Sequence, residues 1–230
     1  MKFISILIII LSVEMLFSQD RSLIDNSDQT ILRVAYNFGG PVSFYNPKRN
    51  LKGTNYLFDD WENFGVIKSK DNKDFLVRNI NINIDLNTIQ TKISNDSIFD
   101  YDLNNIEKVT INNKVYKNIY SEKGKRIYEV IFESDEFSIL KGFETKIIEG
   151  TPNPMQNRAS DAIVRNKSYF LKTGVNIIAF RLTKKKILNL LNKDSVKIAK
   201  LEQYMKSENL SYNKDKDISK ALLQILILDK

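Results

Sequence analysis

The chain contains neither cysteine nor histidine in 230 residues. Without cysteine there is no disulfide, no thiolate nucleophile and no sulfur ligand for zinc or an iron–sulfur cluster. The fold must hold by packing alone. Without histidine the chain loses the imidazole metal ligand, the Ser–His and Cys–His nucleophile pairs, and the usual proton shuttle near neutral pH. A carboxylate Ca²⁺ site survives these omissions, but no D-x-D-x-D-G-type loop is present. Neither a metal nor a cofactor is expected. Glycine (8) and proline (4) are scarce, and Trp61 is the only tryptophan. Gly39-Gly40-Pro41 is a turn signal. No glycine-rich run followed by Lys-Ser/Thr leads into a helix, which excludes a phosphate loop.

The formal charge is +7, carried mostly by lysine: 27 Lys against 8 Arg. Nucleic-acid surfaces favour arginine gathered on one face. Here the lysines are scattered, and Ile and Asn, also favoured by AT-rich codons, are abundant. Nucleic acid is therefore not expected as a partner. An anionic lipid surface or polysaccharide is the alternative explanation of the charge.

The opening MKFISILIIILSVEMLFSQD has the order of an export signal: Lys2, an apolar core from Phe3 to Val13, and small Ser18 before Gln19. Cleavage is expected after Ser18. The run is shorter than the ~20 residues needed to span a bilayer. No later stretch is long enough, so no transmembrane span is expected in the mature chain. The expected location is the periplasm or cell envelope.

Residues 19–54 read as an irregular N-terminal segment, with short strands possible at 30–38 and 42–45. From 55 to 182 the chain reads as successive strands. RNININIDLN (78–87) alternates Ile80, Ile82, Ile84 and Leu86 against Asn79, Asn81, Asn83 and Asp85. Its isoleucine face is expected on the protein's own core and its asparagine face in solvent. IEKVTINNKVYKNIY is a hairpin with Asn112-Asn113 at the turn, where asparagine tolerates a left-handed backbone. Strand spacings of about 8–15 residues without intervening helices favour antiparallel pairing. Residues 149–168, with Pro152 and Pro154, read as a long loop. After Leu182 the period becomes helical. Thr183 and Asp194 are placed as caps, Val196, Ile198, Leu201 and Met205 as an inner stripe, and Asn209 as a stop. Residues 218–228 are apolar almost all round. The expected fold is α+β: an antiparallel β-rich meander (curved sheet, sandwich or roll) with C-terminal helices over 183–230 packing on the same domain.

Candidate binding residues fall in two places. YLFDDW (56–61) offers Tyr56, Phe58 and Trp61 as an aromatic platform and Asp59 and Asp60 as acid or base; buried packing is the competing use of its rings. The 149–168 segment offers Arg158, Asp161 and Arg165. No catalytic residue is assigned. GTNYLFDDW, a strand-rich middle and KKKILNLL…LEQYMKSENLSY resemble exported hypothetical proteins of Bacteroidota type over most of residues 53–228. That resemblance implies an envelope location and no catalytic residues.

The leading functional expectation is a non-enzymatic interaction or accessory module, with another envelope protein or a lipid as partner. One alternative is a carrier sheltering an apolar ligand in a curved-sheet cavity. The other is a carboxylate hydrolase using Asp59, Asp60 or Asp161. Whether the chain is an enzyme stays open, and the reading leans away from it.

Overall fold

The computed structural model describes residues 42–44, 52–121, 124–149 and 161–228. The expected leader (1–18), the strand at 30–38, the Gly39-Gly40-Pro41 turn, Pro152, Pro154 and Arg158 lie outside them.

The architecture is α+β and mostly antiparallel. Strands β1 (Val42–Phe44), β4 (Ile80–Asn83), β5 (Thr88–Lys92) and β6 (Ser97–Asp100) form a small sheet in the order β1-β6-β5-β4. The large sheet has eight strands: β2 (Phe64–Ser69), β3 (Asp74–Arg78), β7 (Ile106–Ile111), β8 (Lys114–Ser121), β9 (Gly124–Glu133), β10 (Ser138–Ile148), β11 (Ala162–Thr173) and β12 (Asn176–Phe180). Their order is β12-β11-β10-β9-β8-β7-β2-β3, with every pairing antiparallel. Helices α1 (Lys184–Asn189), α2 (Ser195–Ser207) and α3 (Asp215–Leu223) follow, the last running into a wider turn at Gln224–Leu228.

Asparagine does much of the turning that glycine does elsewhere. The left-handed backbone positions outside glycine include Asn72, Asn79, Asn87, Asn112, Asn113, Asn192 and Asn209. Its short amide makes that conformation accessible, unlike that of a branched residue. Asn112 and Asn113 close the expected β7–β8 hairpin, with Ile111 opposite Lys114. Asn79 (φ 53°) lets the chain leave the large sheet at Arg78 and enter the small one at Ile80. Asp194 Oδ1 caps α2, accepting from the N–H groups of Val196 and Lys197 at 3.0 and 3.1 Å. Asn209 ends that helix, and Leu210 N–H donates back to the Met205 carbonyl at 2.8 Å. Thr183 occupies the α1 cap position but its side chain makes no cap bond.

Strand registers define one inner row across the large sheet: Phe75, Ile67, Val109, Tyr116, Glu129, Lys141, Tyr169 and Phe180. At one end of this face the small sheet packs, burying Ile67, Ile80, Ile82, Ile89, Val109 and Ile111. At the other end the helices pack, burying Ile139, Ile187, Leu201, Ile218 and Leu222. Each fully buried aliphatic side chain stabilises the fold by roughly 1.5–3 kcal/mol. The opposite, outer face carries the row Leu76, Val66, Thr110, Val115, Val130, Leu140, Phe170 and Ala179.

Several expectations need correction. The isoleucines of the 78–87 stretch do enter the core, but Asn81 and Asn83 are also buried. The strand is short, and residues 55–57 pair on its free edge: Tyr56 lies opposite Asn83, and Leu57 N–H donates to the Ile82 carbonyl at 2.9 Å. The 149–168 stretch is not one loop, because β11 begins at Ala162 and pairs with β10 along eleven registered positions. Val196 stands exposed instead of completing the α2 stripe, and Leu223 and Ile227 are exposed on the last segment.

Candidate functional site

The YLFDDW block is built around Asn81, which is 1% exposed. Its Oδ1 accepts from Phe58 N–H at 3.1 Å and from Ile82 N–H at 2.9 Å. Its Nδ2 donates to the carbonyls of Phe58 (3.0 Å) and Asp60 (2.9 Å). One buried amide thus satisfies backbone groups of Phe58 and Asp60, just beyond the residues that pair with β4. Tyr56 is buried and meets half-buried Trp61 edge to face, ring centroids 4.6 Å apart. Phe58 packs on the core beneath.

Arg165 closes this block from the β10–β11 arm. Its guanidinium donates to the carbonyls of Tyr56 (3.0 Å) and Leu57 (2.6 Å) and to Asp59 Oδ1 (2.5 Å). The same arm meets the chain at Lys52, whose N–H donates to the Asp161 carbonyl at 3.0 Å. A Cβ on Gly53 (φ 92°) would lie 2.5 Å from the Ile163 carbonyl oxygen, so this approach requires glycine. The structure therefore brings Tyr56, Asp59, Trp61 and Arg165 into one cluster. Exposed Asp60 accepts from Glu62 N–H and is not part of the Arg165 clamp. Asp161 is placed by its backbone contact with Lys52. The cluster fastens the arm to the small sheet; Asp59 is exposed but committed to Arg165.

Asn81→Ala is expected to cost about 3 kcal/mol, since it strands part-buried backbone groups worth roughly 1–3 kcal/mol each when unpaired. Trp61→Ala should cost less, about 1–2 kcal/mol, because the ring is only partly buried. Urea unfolding of the two variants checks the order; a larger loss for Trp61 would make the ring, not the amide, the organiser of this block.

A second cluster lies at the seam between the two cores, in the middle of the inner row. Lys141 Nζ stands 2.6 Å from Asp215 Oδ2 on α3 and 3.4 Å from Glu129 Oε2 on β9. Tyr169 Oη donates to the same Asp215 oxygen at 3.3 Å. Lys114 approaches Glu129 at 3.8 Å. Glu129 and Lys141 are 5% and 7% exposed. Burial works against the charge on Lys141, but the Asp215 hydrogen bond and the two carboxylates outweigh it and hold its pKa above the usual lysine value. Burial likewise opposes the charge on Asp215, and Lys141, the Lys216 N–H and Tyr169 overcome it, holding that carboxyl below its ordinary range. Burial, then the Glu129 charge, pushes the Tyr116 phenol up. Tyr116 Oη and Glu129 Oε2 are buried without a hydrogen bond. This cluster binds α3 to the sheet, with Glu129 and Lys141 buried and Asp215 part-exposed. Its signal was present in the sequence: Glu129 and Lys141 interrupt the inward sets Ile127-x-Glu129-x-Ile131 and Ile139-x-Lys141-x-Phe143 with opposite charges on consecutive strands.

Two surfaces complete the picture. An open groove of about 340 Å³ lies between the β9–β10 turn, the start of α2 and the C-terminal turn, floored by Phe137, Leu190, Leu191 and Ile225. Its rim mixes Asp135, Glu136 and Asp194 with Lys197 and Lys200. The other surface is the β3–β2–β7 end of the outer face, where Phe64 (57%), Val66 (37%) and Leu76 (58%) stand exposed side by side.

Among the described residues, no cluster of three or more acidic side chains is arranged to hold a metal ion, and no helix is long and apolar enough to cross a membrane. No family model matches the chain, and neither a curated protein nor a solved structure matches it.

Proposed function

We propose that the chain is an exported cell-envelope interaction module, without catalytic chemistry, that binds through the β3–β2–β7 end of its outer sheet face. The observation carrying this reading is the adjacency of Phe64, Val66 and Leu76. Val66 lies directly opposite Leu76 in the register, and both stand in solvent beside Phe64. Contiguous exposed apolar side chains on a rigid sheet mark interaction sites more often than scattered ones do.

The alternatives have less support. A carrier needs space under a curved sheet, yet that inner face is filled: Ile67, Val109, Ile111 and Ile139 have no exposed surface. A carboxylate hydrolase needs two acids facing one cleft, while Asp59 is engaged by Arg165 and Asp161 is set at the start of the arm. The likeness to exported Bacteroidota-type proteins and the apolar N-terminal run favour an envelope setting.

Phe64→Ser with Leu76→Ser tests this. Both side chains are exposed, so the variant is expected to stay folded, within about 1 kcal/mol of the parent. It should shift from the envelope fraction to the soluble exported fraction. An unchanged distribution would remove this face from consideration.

A further inference from the structure

The charges on the outer face point to the chemistry of its partner; this step rests on the reading of that face as the binding surface. Farther across the sheet, two cations on the same face are neutralised, while Lys146 and Lys172 on that face have no ion pair among the described residues. Lys117 holds Glu133 at 2.6 Å, and Arg126 holds Glu144 at 3.0 Å. At the β3–β2–β7 end, cations stand beside exposed apolar side chains. Arg78 lies opposite Phe64 in the register and its guanidinium sits over that ring at 5.7 Å. Lys108 lies opposite Lys68. Among the described residues, neither Arg78 nor Lys108 has a carboxylate at ion-pair distance, and Lys68 reaches Glu107 only at 4.0 Å. Asp74, opposite Lys68, is the other acid on this ledge. Three cations thus face two carboxylates around Phe64, Val66 and Leu76, on a chain of net charge +7.

We infer that this ledge docks on an anionic lipid surface. A second copy of the chain is disfavoured, because the two ledges would bring like charges together. A polysaccharide would find no hydrogen-bonding groups on Val66 or Leu76. A bilayer interface matches both features: apolar side chains enter the headgroup–acyl boundary while nearby Lys and Arg meet lipid phosphates.

The absence of cysteine makes the test clean. Leu76→Cys and, separately, Val175→Cys would each carry one polarity-sensitive fluorophore on the full chain. Val175 is exposed at the β11–β12 turn, away from the ledge. Vesicles of phosphatidylglycerol should blue-shift the probe at 76 and leave the probe at 175 unchanged. Phosphatidylcholine vesicles should shift neither. Adding Arg78→Gln and Lys108→Gln should raise the phosphatidylglycerol needed for half the shift at least about tenfold. Binding driven by the apolar N-terminal run would not single out position 76. Equal shifts at both positions, no shift at 76, or the same shift with phosphatidylcholine would overturn the inference. A shift given as readily by soluble polyglutamate would assign the ledge to an acidic polypeptide instead. If vesicles fail while the Phe64/Leu76 variant still leaves the envelope fraction, the lipid assignment falls and the interaction module stands.

Discussion

A chain ending at Lys193 should be insoluble or molten. Removing residues 194–230 takes away Leu201, Met205, Ile218, Leu222 and Ile225, all buried in the helical core. What remains is a sheet face carrying Ile131, Phe132, Ile139 and Phe180, covered only by the short helix α1 with Ile187 and Leu191. At roughly 1.5–3 kcal/mol for each lost side chain, the deficit is comparable to the whole margin of about 5–15 kcal/mol typical of a domain. Loss of near-ultraviolet dichroism with retained strand signal would show the molten outcome. A truncated chain that remains soluble, monomeric and cooperatively folded would mean that the helices are a separable element.

Lys141→Ala should lower stability by about 3–5 kcal/mol, the usual cost of leaving a buried charge without its partner. The variant strands Glu129 in the interior and frees Asp215 from the sheet. Lys141→Met combined with Glu129→Leu should recover most of the loss, because an apolar pair of similar volume carries no unpaired charge. The same seam gives a pH dependence. Asp215 has its pKa held below the unfolded value, so its contribution is present above the ordinary carboxylate range. It is lost as pH falls through the depressed folded pKa. Asp215→Asn should flatten the acid limb of the stability profile. Denaturant titrations between pH 2 and 7 measure this, and an unaltered limb would leave acid lability to other groups.

Local signals in the sequence carried over into the structure where the cause is local. The Asn112-Asn113 turn, the Asp194 cap and the Asn209 stop depend on backbone conformations a few residues long. The meander followed from strand spacing and the shortage of helical periodicity before residue 183. The asparagine face of β4 was not legible, because period-2 alternation does not distinguish water from a neighbouring segment's unpaired backbone. Asn81 faces the latter. Arg165 looked like a loop residue because polar Arg165, Asn166 and Lys167 obscure a strand whose arm is partly exposed. Val196 fits the α2 stripe by spacing, yet it lies beyond the reach of the sheet and lines the rim of a groove. In the Glu129–Lys141–Asp215 seam the first two charges sit on consecutive strands and were open to reading, but Asp215 is 74 residues from Lys141 and only tertiary packing brings it there.

Hydroxyl-radical footprinting of Phe64 and Leu76 tests the role of the outer face most directly. It compares the purified protein with the protein in its own intact envelope. Both side chains should react freely in the purified protein and be protected several-fold in the envelope, while Val175 reacts equally in both. Equal reactivity of Phe64 and Leu76 in the two settings, or protection already complete in the purified protein, would contradict a binding role for this face.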